Sequence, residues 1–261
     1  MSVSYYTGGR FGNNIYQYIA TKLICKLTNK SYQYIDNCSN ETKKSSFIIT
    51  DSNFYDVYDK KILIEQNNII LSGYFQSVRH INENIDYIRE LFTETNEENI
   101  NSSFKVKDIV LKIKEQPLIN DKLVVHVRLD DFYHQGHNSE IIDPKYLKEY
   151  IKEIMMQEKI TLCVFIVDKP KQEWEQKYID FFKDINIEVQ SNSILEDFSL
   201  IYNSEYTLLC RSTFGWISTL LSTINKKNWF PENDSDKMRV FNPFNKNSIH
   251  YKPTYYSTRY L

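Results

Sequence analysis

Apolar and polar positions along this chain follow two periods, and the switches between them predict its elements. Residues 3–7 form a β-prone run that ends in the glycine turn Gly8-Gly9-Arg10-Phe11-Gly12. Asn13 is placed to cap a helix whose Ile15, Ile19, Leu23 and Leu27 recur as one apolar stripe. Strands are predicted at 46–50 and 69–74, and a helix over 80–92. A polar surface loop at 94–103 and an amphipathic helix over 106–114 follow. Gln116-Pro117 breaks the pattern.

A second series starts at Lys122. Residues 123–127 are a continuous β-branched run, the mark of a parallel strand covered on both faces. Asp143 before Pro144 is an N-cap with proline at the first helical position, opening a helix to about 156. Strands at 161–167, 187–190 and 206–210 alternate with helices at 174–182, 194–202 and 213–221. Ser193 and Glu196 have the spacing of a capping box. Asn228 to Pro231 ends the pattern. The aromatic tail after Phe241 is expected to be irregular and to pack back across the first half. Strand–helix alternation with short links predicts an α/β protein with a doubly wound parallel sheet in each half. The divisions expected are 1–118, 119–241 and a tail at 242–261.

Composition narrows the function classes. In 261 residues, 41% hydrophobic and 25% charged side chains are enough for packed cores, and a net charge of -2 argues against a general nucleic-acid binder. The first residues lack the basic and apolar regions of a signal peptide. The longest apolar stretch, 206–221, carries Arg211 in its middle. No membrane span is expected, and a cytoplasmic location fits. Cys25, Cys38, Cys163 and Cys210 are scattered without a C-x-x-C pair, which suits reduced thiols.

Ligands of open parallel sheets bind beyond the carboxyl ends of the strands, and three segments fall there. Gly8, Gly9 and Gly12 are half of the six glycines, so the backbone there bends sharply or approaches something closely; a plain strand–helix turn is the simpler reading. His126, Arg128, Asp130 and Asp131 leave the end of a buried strand. Arg128 offers a fork suited to phosphate oxygens, and His126 shares its side of the strand. An internal Arg128–Asp131 ion pair is the alternative. Arg211-Ser212-Thr213-Phe214 joins a strand to a helix start, where amides and hydroxyls make an anion site unless Ser212 or Thr213 merely caps. Asp197 lies in the first turn of another helix, where a carboxylate ordinarily complements the dipole.

Together these segments resemble a known family. Gly8-Gly9-Arg10-Phe11-Gly12-Asn13-Asn14 through Gln17-Tyr18 is similar to the GG-x-GNQ-x-x-QY opening of the α-1,2-fucosyltransferases of glycosyltransferase family 11. Its Gly-Arg-Phe-Gly-Asn core also resembles protein O-fucosyltransferases. Gly73-Tyr74-Phe75-Gln76-Ser77 is similar to GYWQS, and His126 to Phe132 resembles H-x-R-R-G-D-Y. Glu196-Asp197-Phe198-Ser199-Leu200 and Arg211 to Trp216 are similar to two later blocks, ED-x-x-LM and NSSFSWW. Leu129 and Asp130 replace the family's second arginine and its glycine.

The resemblance implies a GT-B fold, two Rossmann-like domains facing a cleft, and inverting transfer of fucose from GDP-fucose to a glycan hydroxyl with no metal or other cofactor. It places the donor on the second half. Arg128 would meet the β-phosphate, with Ser212, Thr213 and the Phe214 amide on the phosphates. His126 and Asp197 would face the nucleotide. Asn13, with Arg10 and Gly12, would stand near the reacting centre or acceptor. Asp131 is the carboxylate nearest the arginine motif and either serves the reaction or orients Arg128. His137, like His134 and Glu140, lies in the following loop as an acceptor-side candidate. The same scaffold with another nucleotide sugar, or an inactive carbohydrate-binding relative, are the competing readings.

Overall fold

The computed structural model describes residues 1–35, 46–59, 67–76, 78–129, 141–232 and 248–255. The chain divides into two compact units, Met1–Leu111 and Lys112–Leu261. In the first, strand β1 (Ser2–Tyr5) passes through the glycine turn into helix α1 (Phe11–Thr28). Then come β2 (Ser31–Tyr32), β3 (Phe47–Thr50), α2 (Phe54–Asp59), β4 (Asn68–Ser72), and the short helices α3 (Val78–Glu83) and α4 (Ile85–Glu90). Helix α5 (Val106–Glu115) carries the chain out of this unit. The sheet order is β2-β1-β4-β3 with every pairing parallel, so β1 and β4 lie side by side and end at the same edge.

Three features of this unit differ from the sequence expectation. Helix α1 is not a one-stripe amphipathic helix. Asn14, Tyr16, Gln17, Tyr18, Ala20, Thr21 and Ile24 are buried along with Ile15, Ile19 and Leu23, so it runs through the interior. The helix expected over 80–92 is broken at Asn84, whose side chain donates to the His80 carbonyl (2.8 Å) and competes with the helical ladder. The 94–103 segment is no plain surface loop. Ile100 is fully buried, and Glu98 takes the Lys22 ammonium at 2.8 Å.

The second unit holds a longer series. Strand β5 (Ile119–Val127) is followed by α6 (Pro144–Glu158), β6 (Leu162–Val167), α7 (Glu173–Asp180), β7 (Ile187–Gln190) and α8 (Ile194–Tyr202). Next come β8 (Ser204–Leu209), α9 (Thr213–Leu221), β9 (Lys227–Pro231) and β10 (Ser248–Tyr251). Asp143 accepts from the amides of Lys145 and Tyr146 ahead of α6, and both halves of the Ser193–Glu196 capping box form at α8.

All pairings are again parallel, in the order β10-β9-β8-β5-β6-β7. From β5 the chain steps one way to β6 and β7, then returns to β8 and steps the other way. That is the 3-2-1-4-5-6 order of a Rossmann sheet, with its reversal between β5 and β8. Leu123, Val125, Val127 and Leu129 pack on one face with Leu147, Ile151 and Ile154 of α6 and Tyr178 and Ile179 of α7. Val124, Val164 and Ile166 pack on the other face with Leu200, Ile201 and Trp216. Within the tail, residues 248–251 are not irregular: they add the strand β10 to the edge of this second sheet. Tyr251 lies buried and stacks near Tyr146 and Tyr150.

Candidate functional site

Two sets of motif residues assemble, one in each unit. In the first, the ends of β1 and β4 bring the glycine turn beside the Gly73–Gln76 segment. Gly9 adopts φ +75, open to glycine at no steric cost; a Cβ there would run into the Asn13 amide and come within 3.0 Å of the Tyr74 ring. The turn delivers the chain into α1 three residues earlier than expected, so Asn13 is not the cap. The N-cap position falls on exposed Arg10, with no side-chain capping bond. Asn13, in the first turn, accepts from Gln76 Nε2 at 2.7 Å. Gly12 is buried at the helix start.

Buried amides tie this region together. Gln17 accepts from the Gly8 amide (3.3 Å) and from Asn14 (3.2 Å), and donates to the Gly73 carbonyl (2.8 Å). Asn14 donates to the Gly8 carbonyl at 3.1 Å and accepts from Asn101 at 3.0 Å. Asp51 Oδ2 accepts from the Tyr74 amide (3.0 Å) and Oδ1 from the Phe75 amide (2.7 Å). That pair holds Phe75 at φ 51, left-handed backbone that costs a residue with a Cβ roughly 1–2 kcal/mol. Sequence reasoning assigned no role to Gln17, Asp51, Gln76 or Asn101. Gln17 and Gln76 sit inside the quoted motifs and were findable there; Asp51 follows a predicted strand with no motif to mark it.

In the second unit the set lies at the reversal between β5 and β8. His126 pairs in register with Leu209, and the Cys210 amide donates to the His126 carbonyl at 3.1 Å. The backbones therefore place His126 and Arg128 alongside Arg211, Ser212 and Thr213. Arg128 lies one residue past the strand, partly buried. A narrow crevice here is lined by His126, Arg128, Leu209, Cys210 and Tyr251, so the tail strand contributes a wall. Gly215 lets the imidazole approach α9: a Cβ there would be 3.1 Å from His126 Nδ1. Ser212 is the N-cap residue of α9 and 4% exposed, yet its hydroxyl makes no capping bond. The purely capping reading of Ser212 is therefore not realised, and its side chain does not cap the first amides of α9.

An aromatic chain extends from His126 to Phe214 (5.4 Å) and on to Phe198 (5.8 Å), next to Asp197. Asp197 does not behave as an ordinary carboxylate at a helix start. Its pKa is pushed up to about 6, first by burial and then by the neighbouring Asp168 and Glu196 charges. The hydrogen bond from Asn192 Nδ2 (3.0 Å) opposes the rise without cancelling it. Asp131 and His137, with Asp130, His134 and Glu140, lie outside the described residues. Cys25 and Cys163 are buried thiols, as their apolar settings implied, and burial pushes Cys25 up to about 12. Among the described residues no helix is long and apolar enough to cross a membrane.

A comparison with curated proteins gives no match. Solved structures do resemble the chain. An Arabidopsis thaliana FUT1 variant in complex with GDP is 12% identical, with 90% of this chain and 71% of that one covered and a TM-score of 0.51. POFUT1 in complex with GDP-fucose is 11% identical, with 88% and 96% covered and a TM-score of 0.51. The E. coli heptosyltransferase WaaC with ADP-2-deoxy-2-fluoro heptose is 9% identical, with 96% and 93% covered and a TM-score of 0.50. At such identities the likeness defines the fold, which is of the GT-B class with two parallel-sheet units. The family model of glycosyl transferase family 11 matches residues 8–253, a span that contains both sets of motif residues. The chain belongs to glycosyl transferase family 11 and is a glycosyltransferase.

Proposed function

We propose that the protein transfers fucose from GDP-fucose to a hydroxyl of a glycan acceptor, with inversion at the anomeric carbon. The observation that carries this reading is the gathering of His126, Arg128 and the Ser212–Thr213–Phe214 helix start at the strand-order reversal of a Rossmann sheet. Cleaving the sugar–phosphate bond leaves negative charge on GDP. Arg128 and the first amides of α9 stabilise that charge more strongly in the transition state than in the bound donor. The acceptor oxygen enters from the face opposite the diphosphate and its proton passes to a base. Asp131 fills that role or orients Arg128.

Asp197 reads the base: its carboxylate accepts from the N1–H and exocyclic amino group of guanine, donors that compensate a desolvated charge. Asn13 serves the reacting centre or acceptor, together with Arg10 and Gly12. In this reading no metal is needed, because Arg128 and the helix start supply the positive charge. Thermal-shift titration decides the donor. GDP and GDP-fucose should stabilise the fold and UDP should not; a response to UDP alone, or to neither nucleotide, sinks it.

One observation favours a second reading. The position of the family's second arginine holds Leu129, 2% exposed in the core of the second unit. A cation is missing beside the diphosphate, which fits the same scaffold with another nucleotide-linked sugar. Turnover of a different donor in the same titration series would select it.

A further inference from the structure

The Gly73–Gln76 segment combines features that no role in donor binding explains. Phe75 is left-handed and 2% exposed, its ring packed on Phe54 at 5.3 Å, while Tyr74 is 47% exposed. A backbone held in a sparsely populated conformation by two charge-assisted bonds donated by its amides to Asp51 is costly unless it presents something. What it presents is the Tyr74 ring, its edge against Gly9, and beside it the Asn13–Gln76 amide pair. Gly73 is required for the same reason: a Cβ there would run into the Asp51 carboxylate. An exposed aromatic face flanked by paired amides matches a pyranose ring, whose C–H face packs on π-systems and whose hydroxyls both donate and accept.

We propose, on the reading that the acceptor is a glycan, that Tyr74 is the platform on which the acceptor pyranose stacks. The Asn13–Gln76 pair takes its hydroxyls, and Asp51 is the positioning residue that holds the platform. Tyr74 lies outside the assembled donor residues, so acceptor binding and nucleotide binding separate on mutation.

Saturation-transfer NMR tests this with methyl β-galactoside, methyl β-glucoside and methyl N-acetyl-β-glucosaminide as probes. The wild-type chain should saturate the ring protons of at least one glycoside. Tyr74→Phe should keep that signal, and Tyr74→Ala should weaken binding roughly tenfold, the scale of one aromatic contact. Asp51→Ala should lose the signal and Asp51→Asn, which keeps one acceptor oxygen, should retain part of it. Equal signals from wild type and Tyr74→Ala overturn the proposal, as does a wild-type chain that saturates none of the three. Tyr74 is exposed, so its variants fold even if Asp51→Ala does not. GDP titration of the same samples keeps the two readings apart. A GDP response without a glycoside signal removes only the platform, and the reverse removes only the donor assignment.

Discussion

The two motif regions are built in opposite ways. Around the glycine turn of the first unit, polar side chains mostly bond to one another and to backbone: the motif residues Asn14, Gln17 and Gln76, with Asp51 from outside any motif, fix the shape of two adjoining strand ends. At the reversal of the second sheet, the backbone does the positioning. Register between β5 and β8 and the start of α9 bring His126, Arg128 and Ser212 together, and the Ser212 hydroxyl takes no part in capping. A shared family motif can thus be scaffold in one place and chemistry in another. Mutation separates them, because scaffold loss lowers stability while loss of chemistry lowers rate.

The largest effect is expected at Arg128. Arg128→Ala should cut turnover of GDP-fucose by roughly 100- to 1000-fold, the cost of removing one preorganised donor to a developing anion. The melting temperature should stay within about 2 °C, because a partly buried strand-end residue carries little of the fold. Steady-state kinetics with a melting curve on the same sample checks both halves. Unchanged turnover would remove Arg128 from the reaction.

Gln17→Ala should do the reverse. Gln17 is 2% exposed and serves both Gly8 and Gly73. Its loss leaves a part-buried amide N–H and a part-buried carbonyl without this partner, at about 2–3 kcal/mol. A melting temperature lower by roughly 5–10 °C would follow, with residual turnover at low temperature reduced far less than in Arg128→Ala. A stability loss confined to Arg128→Ala and absent from Gln17→Ala would invert the comparison.

The sequence showed where this division would fall but not its content. Residues 123–127 and 161–167, apolar but for His126 and Thr161, read as buried parallel strands, and the Asp143-Pro144 and Ser193–Glu196 caps fixed two helix starts to the residue. Asn13 was misplaced as a cap because where α1 begins depends on the backbone of the turn, with Gly9 at φ +75, and not on spacing. Asp51 was invisible: a carboxylate after a strand is ordinary until the two amides it holds are in place. Strand β10 escaped because an edge strand of four residues, paired along one side only, needs no strong apolar run.

Asp197 gives a smaller effect with a defined sign. Its carboxyl titrates near 6 in the folded chain and near the usual value of about 4 when unfolded. Between these values the folded state holds the extra proton. Its contribution to stability therefore improves as pH falls from 6 toward 4, and the cost of the desolvated charge is complete above 6. Guanine binding runs the other way, since a protonated carboxyl accepts poorly. The Kd for GDP should rise up to about tenfold per pH unit below 6, and Asp197→Asn should flatten that dependence. Calorimetric titration between pH 5 and 8 reads it directly; a pH-independent Kd would dismiss Asp197 as the base reader.

The smallest effect compares the two glycines that each region depends on. At Gly9 a substituent meets both a left-handed backbone and the Asn13 amide, so no relaxation helps. At Gly215 the backbone is helical, and alanine gains up to about 1 kcal/mol in helix propensity. Against that gain, its Cβ would stand 3.0 Å from Leu209 Cδ2 and 3.1 Å from His126 Nδ1, so both must yield by a few tenths of an ångström. The two terms nearly cancel for stability. What remains is a displaced imidazole at the crevice, so Gly215→Ala should weaken GDP binding by about threefold, well under 1 kcal/mol, with an unchanged melting temperature. The chemical shifts of His126 should move in the same variant. An unchanged His126 signal together with unchanged GDP affinity would mean that the imbalance between the two regions does not extend to their glycines. His126 would then be held by β5 alone.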